Sequence, residues 1–385
     1  VGHSVTVIAS RRAYDNPGVR FPSREEWNGV KINRIPCTGF GKASKWRRMA
    51  DFVSFLVSCG VHLTIERRYD AVIAMTSPPL ISFLATLFVK ISGGALIFWV
   101  MDLNPDEAIA AGWMRPRSFA ARILSGMLQS GLQRAERIIV LDRFMRSRIE
   151  SKGIPSGKIE VIPPWSHDDY LRYDLAGRSR FREQHKLANK FVIMYSGNHS
   201  PCHPLDTLLD AALELSTDPE FAFCFVGGGK EFGKVKDFAT RHKLVNIICL
   251  PYQKFKELSA SLSAADLHVV VLGDPFVGIV HPSKVYNVLA LGIPFLYIGP
   301  DQSHVGDMMI SDTDSVWSYS ARHKDSKSVV RQIRIARARS VLQCKSELQL
   351  AQRFSQNLLV KSTIGVINTA AARVPEIPQN ATSPV

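Results

Sequence analysis

Three short stretches put chemically capable residues where the chain turns from one element to the next. "HPSKVYNVLALGIP" sets Pro282, Ser283 and Lys284 ahead of an apolar, helix-like run that stops at Gly292-Ile293-Pro294. Proline pre-sets the first helical turn, and Ser283 can act as its cap. A lysine there faces the positive end of the helix dipole, which is unfavourable unless an anion occupies the same place. Two readings of Lys284 therefore stand: a solvated side chain, or a cation converging with free backbone N–H groups on a phosphate. "FCFVGGGKEF" places Gly227, Gly228, Gly229 and Lys230 directly after a buried strand, where backbone N–H groups could cradle phosphates. The glycines are consecutive, so the stretch is neither a Walker sequence nor a dinucleotide fingerprint. "YSGNHSPCHPLDTLLDAA" ends a strand near Gly197-Asn198 and enters a helix after Pro204, either as a plain turn or as a close approach to an anion.

The whole chain is basic, with 48 Lys+Arg against 34 Asp+Glu and a formal net charge of +14 over 385 residues. That excess favours nucleic acid, an acidic membrane surface or phosphorylated small molecules without choosing among them. The length suits two domains, and a 46% hydrophobic, 21% charged composition suits a folded core. Six scattered cysteines, with no C-x-x-C pair, argue against a zinc site or disulfide framework and fit a reducing compartment. No D-x-D triplet follows a strand, and Asp168-Asp169 read as solvated hinge residues. No basic stripe accompanies a recognisable nucleic-acid module.

Around these stretches, short apolar runs alternate with helical patterns. One series runs through "VTVIAS", "AVIAMTS", "ALIFWVMD" and "RIIVLD". A second runs through "FVIMYSG", "FAFCFVGGG", "NIICLPY", "LHVVVLG" and "PFLYIGP". Continuous rather than alternating apolar strands belong to parallel sheets covered on both faces. The fold class expected is α/β, two doubly wound Rossmann-like domains facing a central cleft. Residues 1–165 form the first domain and 166–345 the second, with a hinge around Pro163-Pro164. A helix over 346–369 would return to the first domain, and 370–385 would be a disordered tail. "SPPLISFLATLFVKISGGALIFWV" is broken by Lys90 and Gly93-Gly94, and reads as a buried helix (80–91) and strand rather than a membrane span. The opening "VGHSVTVIAS" lacks Met and enters a strand at once, so a first strand is expected to precede Val1.

The ordered set strand-"SGN", strand-"GGG", "LSAADLHVVVL" and "PSKVYNVLALGIP" resembles the C-terminal half of retaining, nucleotide-sugar-dependent GT-B glycosyltransferases of family 4. "TSPPLISFLA" and "DLNPDEAIAAG" resemble its bacterial exopolysaccharide, O-antigen and colanic acid subgroup. The resemblance runs from about Val5 to about Ile367. It implies a donor site at Gly197, Asn198, Gly227, Gly228, Gly229, Lys230, Ser283, Lys284 and Asn287. It also implies a cleft-facing Asp102 that handles the acceptor hydroxyl. The donor would be a nucleoside diphosphate sugar, with no cofactor or metal required. Where many members carry two glutamates, this chain has Ile279 and Asn287; Asn287 can still bond a ribose hydroxyl, whereas Ile279 cannot replace a carboxylate. The basic residue many members keep after the "SGN" turn is absent, with His203 and Pro204 in that area.

"KASKWRRMADFVSFLVSCGVHLTIERR" sets Lys45, Trp46, Arg47 and Arg48 before an apolar helix. It reads either as a core helix with a solvated basic end or as a surface for anionic lipid carrying a lipid-linked acceptor. A cytoplasmic enzyme is expected, and under the second reading it is peripheral on the inner face of the plasma membrane. A sugar-nucleotide epimerase or a non-catalytic nucleotide-sugar-binding protein would fit the same architecture.

Overall fold

The computed structural model describes residues 2–13, 16, 18–41, 44–66, 68–166, 170–311, 318–340 and 349–373. Thus Asp168-Asp169, Lys42 and residues 374–385 lie outside the described residues, whereas Ala370 and Ala371 complete the helix Gln356–Ala371.

Two sheets build the first lobe. Strands β1 (Val5–Ser10), β2 (Arg24–Trp27) and β3 (Val30–Ile35) pair in the order β1-β3-β2, parallel between β1 and β3 and antiparallel between β2 and β3. Asn28 (φ 50°) and Gly29 (φ 79°) connect β2 to β3, both in the left-handed region that a two-residue type I′ hairpin needs. Strands β4 (Ala71–Ala74), β5 (Ala95–Trp99), β6 (Arg137–Val140) and β7 (Ile159–Val161) form the second, fully parallel sheet. Between β4 and β5 the helix Ile81–Ser92 buries Phe88 and Val89 and ends at Gly93 (φ 81°).

The second lobe is one parallel sheet in the order β10-β9-β8-β11-β12-β13. Its strands are β8 (Phe191–Asn198), β9 (Phe221–Gly228), β10 (Ile247–Leu250), β11 (Leu267–Val271), β12 (Phe295–Ile298) and β13 (Ser318–Ala321). The helices Asp206–Glu214 and Ser326–Ser340 pack on each other, and the latter also covers β12 and β13. Side chains of β8, β9, β11 and β12 are buried on both faces, which is why these strands read as unbroken apolar runs. Strands β2, β3, β7 and β13 escaped the sequence reading because they are polar or very short.

The lobes meet through the segment just before Pro282. Leu103 N–H donates to the Ile279 carbonyl at 3.0 Å, and the Arg148 guanidinium donates to the Val277 carbonyl at 2.6 Å. Gly278 (φ 70°) presses on the Phe144 backbone, leaving a Cβ only 2.6 Å from it. Ile279, 3% exposed, joins the first lobe's core beside Val100, Leu103 and Met145. An apolar residue there seals the lobe interface, which a carboxylate would not do unpaired. After Phe354 the helix Gln356–Ala371 lies against β5 and β4 of the first lobe.

Candidate functional site

In the second lobe the strand order reverses between β8 and β11, and ligands of open α/β sheets bind beyond the strand ends at such a point. A cavity of about 580 Å³ lies there, between the lobes. Gly197, Asn198, Ser283, Lys284 and Asn287 line its second-lobe side; Met75, Trp99, Met101 and Trp165 line the other.

Lys284 begins the helix Lys284–Ala290. Its Nζ is buried, has no hydrogen-bond partner among the described residues, and sits 3.8 Å from the centroid of the Tyr195 ring. A Cβ on Gly197 (φ 130°) would stand 3.4 Å from that Nζ, so glycine keeps the turn after β8 open to the lysine. Burial pushes the ammonium down to about 7. The solvated alternative for Lys284 is therefore overturned: the amine is desolvated and faces the cleft. Ser283 does not act as the expected cap, because its side chain bonds no helix N–H and stays exposed.

Two neutral histidines flank the lysine. His199 Nδ1–H donates to the Gly197 carbonyl at 3.0 Å, and burial, then Lys284, pushes its pKa down to about 4. His203 bonds the Val271 carbonyl at 2.7 Å, and burial, then Lys284, pushes it down to about 3. His203 lines the cavity as an uncharged ring.

The glycine triplet shapes the site from behind. Gly227, Gly228, Gly229 and Lys230 do not line the cavity. A Cβ on Gly227 (φ 136°) would reach 2.0 Å from the Gly197 carbonyl oxygen, and one on Gly229 (φ 122°) 2.6 Å from the His199 carbonyl oxygen. The triplet thus lets β8 and β9 end in close contact. Lys230 is exposed and points at the Trp113 ring of the first lobe, 5.8 Å away.

Asp102 lies outside this cavity too, in a recess of about 30 Å³ with Thr76, Ser82 and Asn104. Burial, then Glu107, pushes its carboxyl up to about 6. Met101, its neighbour in sequence, does line the cleft. Of the proposed membrane residues, Lys45 opens the helix Lys45–Ile65, Trp46 is 79% exposed, and Arg47 and Arg48 are exposed. Trp46, Arg47 and Arg48 do not line the cavity.

Sequence reasoning missed two groups. Asp142 Oδ2 accepts from His281 Nδ1 at 2.8 Å, His281 Nε2 meets the Tyr286 hydroxyl at 2.7 Å, and that hydroxyl meets His304 Nε2 at 2.8 Å. Asp142, His281 and His304 are the one set among the described residues close enough to share a metal ion. Both nitrogens of His281 are already hydrogen-bonded, so the set reads as a polar link between the lobes. Single histidines far apart in sequence gave no sign of it. The second group is Trp99 with Trp165: Trp99 ends an apolar strand and so reads as core, and Trp165 follows Pro163-Pro164 in a polar connection.

Residues 1–165 match the glycosyl transferase 4-like domain. The Escherichia coli K12 protein WcaI, named as a colanic acid biosynthesis glycosyl transferase, is 27% identical over 76% of this chain and 74% of its own. The Pseudomonas aeruginosa protein WbjE, named as a glycosyltransferase, is 24% identical over 82% of this chain and 77% of its own. In fold, the chain resembles sucrose-phosphate synthase from Thermosynechococcus elongatus, with TM-score 0.73, 13% identity and coverage of 96% and 90%. It also resembles Anabaena HepE, solved with UDP-glucose, with TM-score 0.66, 13% identity and coverage of 89% and 86%. Two α/β lobes about a cleft at the switch point define the GT-B architecture. The chain is a GT-B glycosyltransferase that resembles family 4, with a glycosyl transferase 4-like first lobe.

Proposed function

We propose that this enzyme transfers a glycosyl group from a nucleoside diphosphate sugar to a lipid-linked saccharide, on the cytoplasmic face of the plasma membrane, during assembly of a cell-surface polysaccharide. The single observation that carries the donor side is Lys284, which lines a cleft at the sheet's switch point and whose buried amine has no hydrogen-bond partner among the described residues. As the glycosidic bond to the diphosphate breaks, negative charge builds on the leaving oxygen. A desolvated ammonium stabilises that charge more than it stabilises the ground state. Asn287, on the same helix and lining the same cleft, would bond a ribose hydroxyl, and backbone at Gly197-Asn198 would complete the diphosphate side. The cation comes from the chain itself, in keeping with metal-independent transfer. Retention of configuration is taken from the family resemblance.

For Asp102 we propose the acceptor-side role, because Met101, its neighbour in sequence, lines the cleft and its raised carboxyl suits proton exchange near neutral pH. The name of WcaI supports polysaccharide assembly, and the HepE complex supports a UDP-type donor. A donor panel tests the reading by following nucleoside diphosphate release with and without lipid-linked acceptor. One donor should give release that the acceptor stimulates; no release from any donor would contradict it.

A further inference from the structure

The two walls of the cleft differ in kind. The second-lobe wall brings Lys284 and the polar side chains of Asn198, Ser283 and Asn287, whereas Met75, Trp99, Met101, Pro164 and Trp165 bring no charge to the opposite wall. Trp99 closes β5 on the strand face it shares with Ala95 and Ile97. Trp165 follows Pro163-Pro164 in the connection between the lobes. The two rings lie 5.9 Å apart at 54°, forming an angled corner rather than a stack, and both are half-buried. Trp99 Nε1 is buried and has no hydrogen-bond partner among the described residues.

An indole N–H can only donate, so a ligand that reaches this one from the cleft has to bring an oxygen. A phosphate would seek a cation, and this wall offers none. An acyl chain would suit the rings but leave the N–H unmet. A pyranose satisfies both demands, with an apolar C–H face for an indole and hydroxyl oxygens for the donor.

We propose that Trp99 and Trp165 form the acceptor subsite, with a neutral pyranose seated against the indoles and one hydroxyl accepting from Trp99 Nε1–H, across the cleft from Lys284. The inference rests on the glycosyl-transfer reading and adds the wall and the chemistry that hold the acceptor.

Saturation-transfer NMR on the full chain with UDP present tests it, using the methyl glycosides of glucose, galactose, mannose, N-acetylglucosamine and fucose. At least one glycoside should receive saturation, strongest on the protons of one ring face. Trp165→Ala should remove most of that signal. Trp99→Phe, which keeps the ring but not the donor, should weaken the same glycoside about three- to tenfold. Calorimetry with UDP on each variant serves as the folding control. UDP bound by the wild type with no saturation of any glycoside would overturn the subsite alone, as would a signal unchanged in both variants. Failure of the wild type to bind UDP would overturn the donor reading, and the subsite with it.

Discussion

Lys284 combines a position legible in sequence with an environment that only the fold supplies. Its place after Pro282-Ser283 raised the anion reading, but desolvation against Tyr195 could not be seen from spacing. With the free amine near 7, a bound diphosphate must raise its pKa by stabilising the ammonium. Affinity for UDP-glucose, whose diphosphate does not titrate near neutrality, should therefore be level below about pH 7 and fall above it, by up to about tenfold per pH unit. Titrations from pH 6 to 9 check this, and a flat profile would argue against Lys284 as the counter-charge. At Asp102, Asp102→Asn should lower kcat with acceptor present while UDP affinity holds.

Among the elements, the strand ends after β8 and β9 were the easiest to anticipate. Gly227 to Gly229 raised the phosphate-cradle reading, and at Gly227 and Gly229 a Cβ would also collide with backbone at the end of β8, at Gly197 and His199. Gly227→Ala must fit a Cβ 2.0 Å from a carbonyl oxygen at φ 136°. It should cost about 2 kcal/mol or more of stability, read as a lower urea midpoint. The hairpin at Asn28-Gly29 was fully signalled by its dipeptide and still missed, because β2 is charged and exposed. The helix Lys45–Ile65 is the one described helix long and apolar enough to cross a membrane by length and composition. Yet it packs one side on β3 and the helix Ile81–Ser92. Its outer stripe of Trp46, Met49, Val53, Val57, Val61 and Ile65 is exposed, with Arg47 and Arg48 at one end. That combination suits lying on an anionic bilayer. The protein should sediment with phosphatidylglycerol vesicles more than with phosphatidylcholine ones, and Trp46→Glu should release it; equal sedimentation of the variant would contradict this.

Across the whole molecule, the two-lobed α/β plan was readable because parallel strands buried on both faces are written as apolar runs. The way the lobes lock was not, since Ile279, Gly278 and the Asp142–His281–Tyr286–His304 chain join residues more than a hundred positions apart. Burial pushes His199 and His268 down to about 4, and His203 and His304 down to about 3. Unfolding lets each bind a proton below the usual histidine value of 6.5. The unfolded state then holds more protons, so stability falls as pH drops below about 6.5, on the order of 1 kcal/mol per pH unit for each histidine. The melting temperature should decline between about pH 7 and pH 5. Calorimetric titration of UDP into the wild type and Lys284→Ala near pH 6.5 tests most directly whether the cleft binds a nucleoside diphosphate through Lys284. The wild type should bind one UDP, and the variant should bind it at least about tenfold more weakly; equal affinity for the two proteins would contradict it.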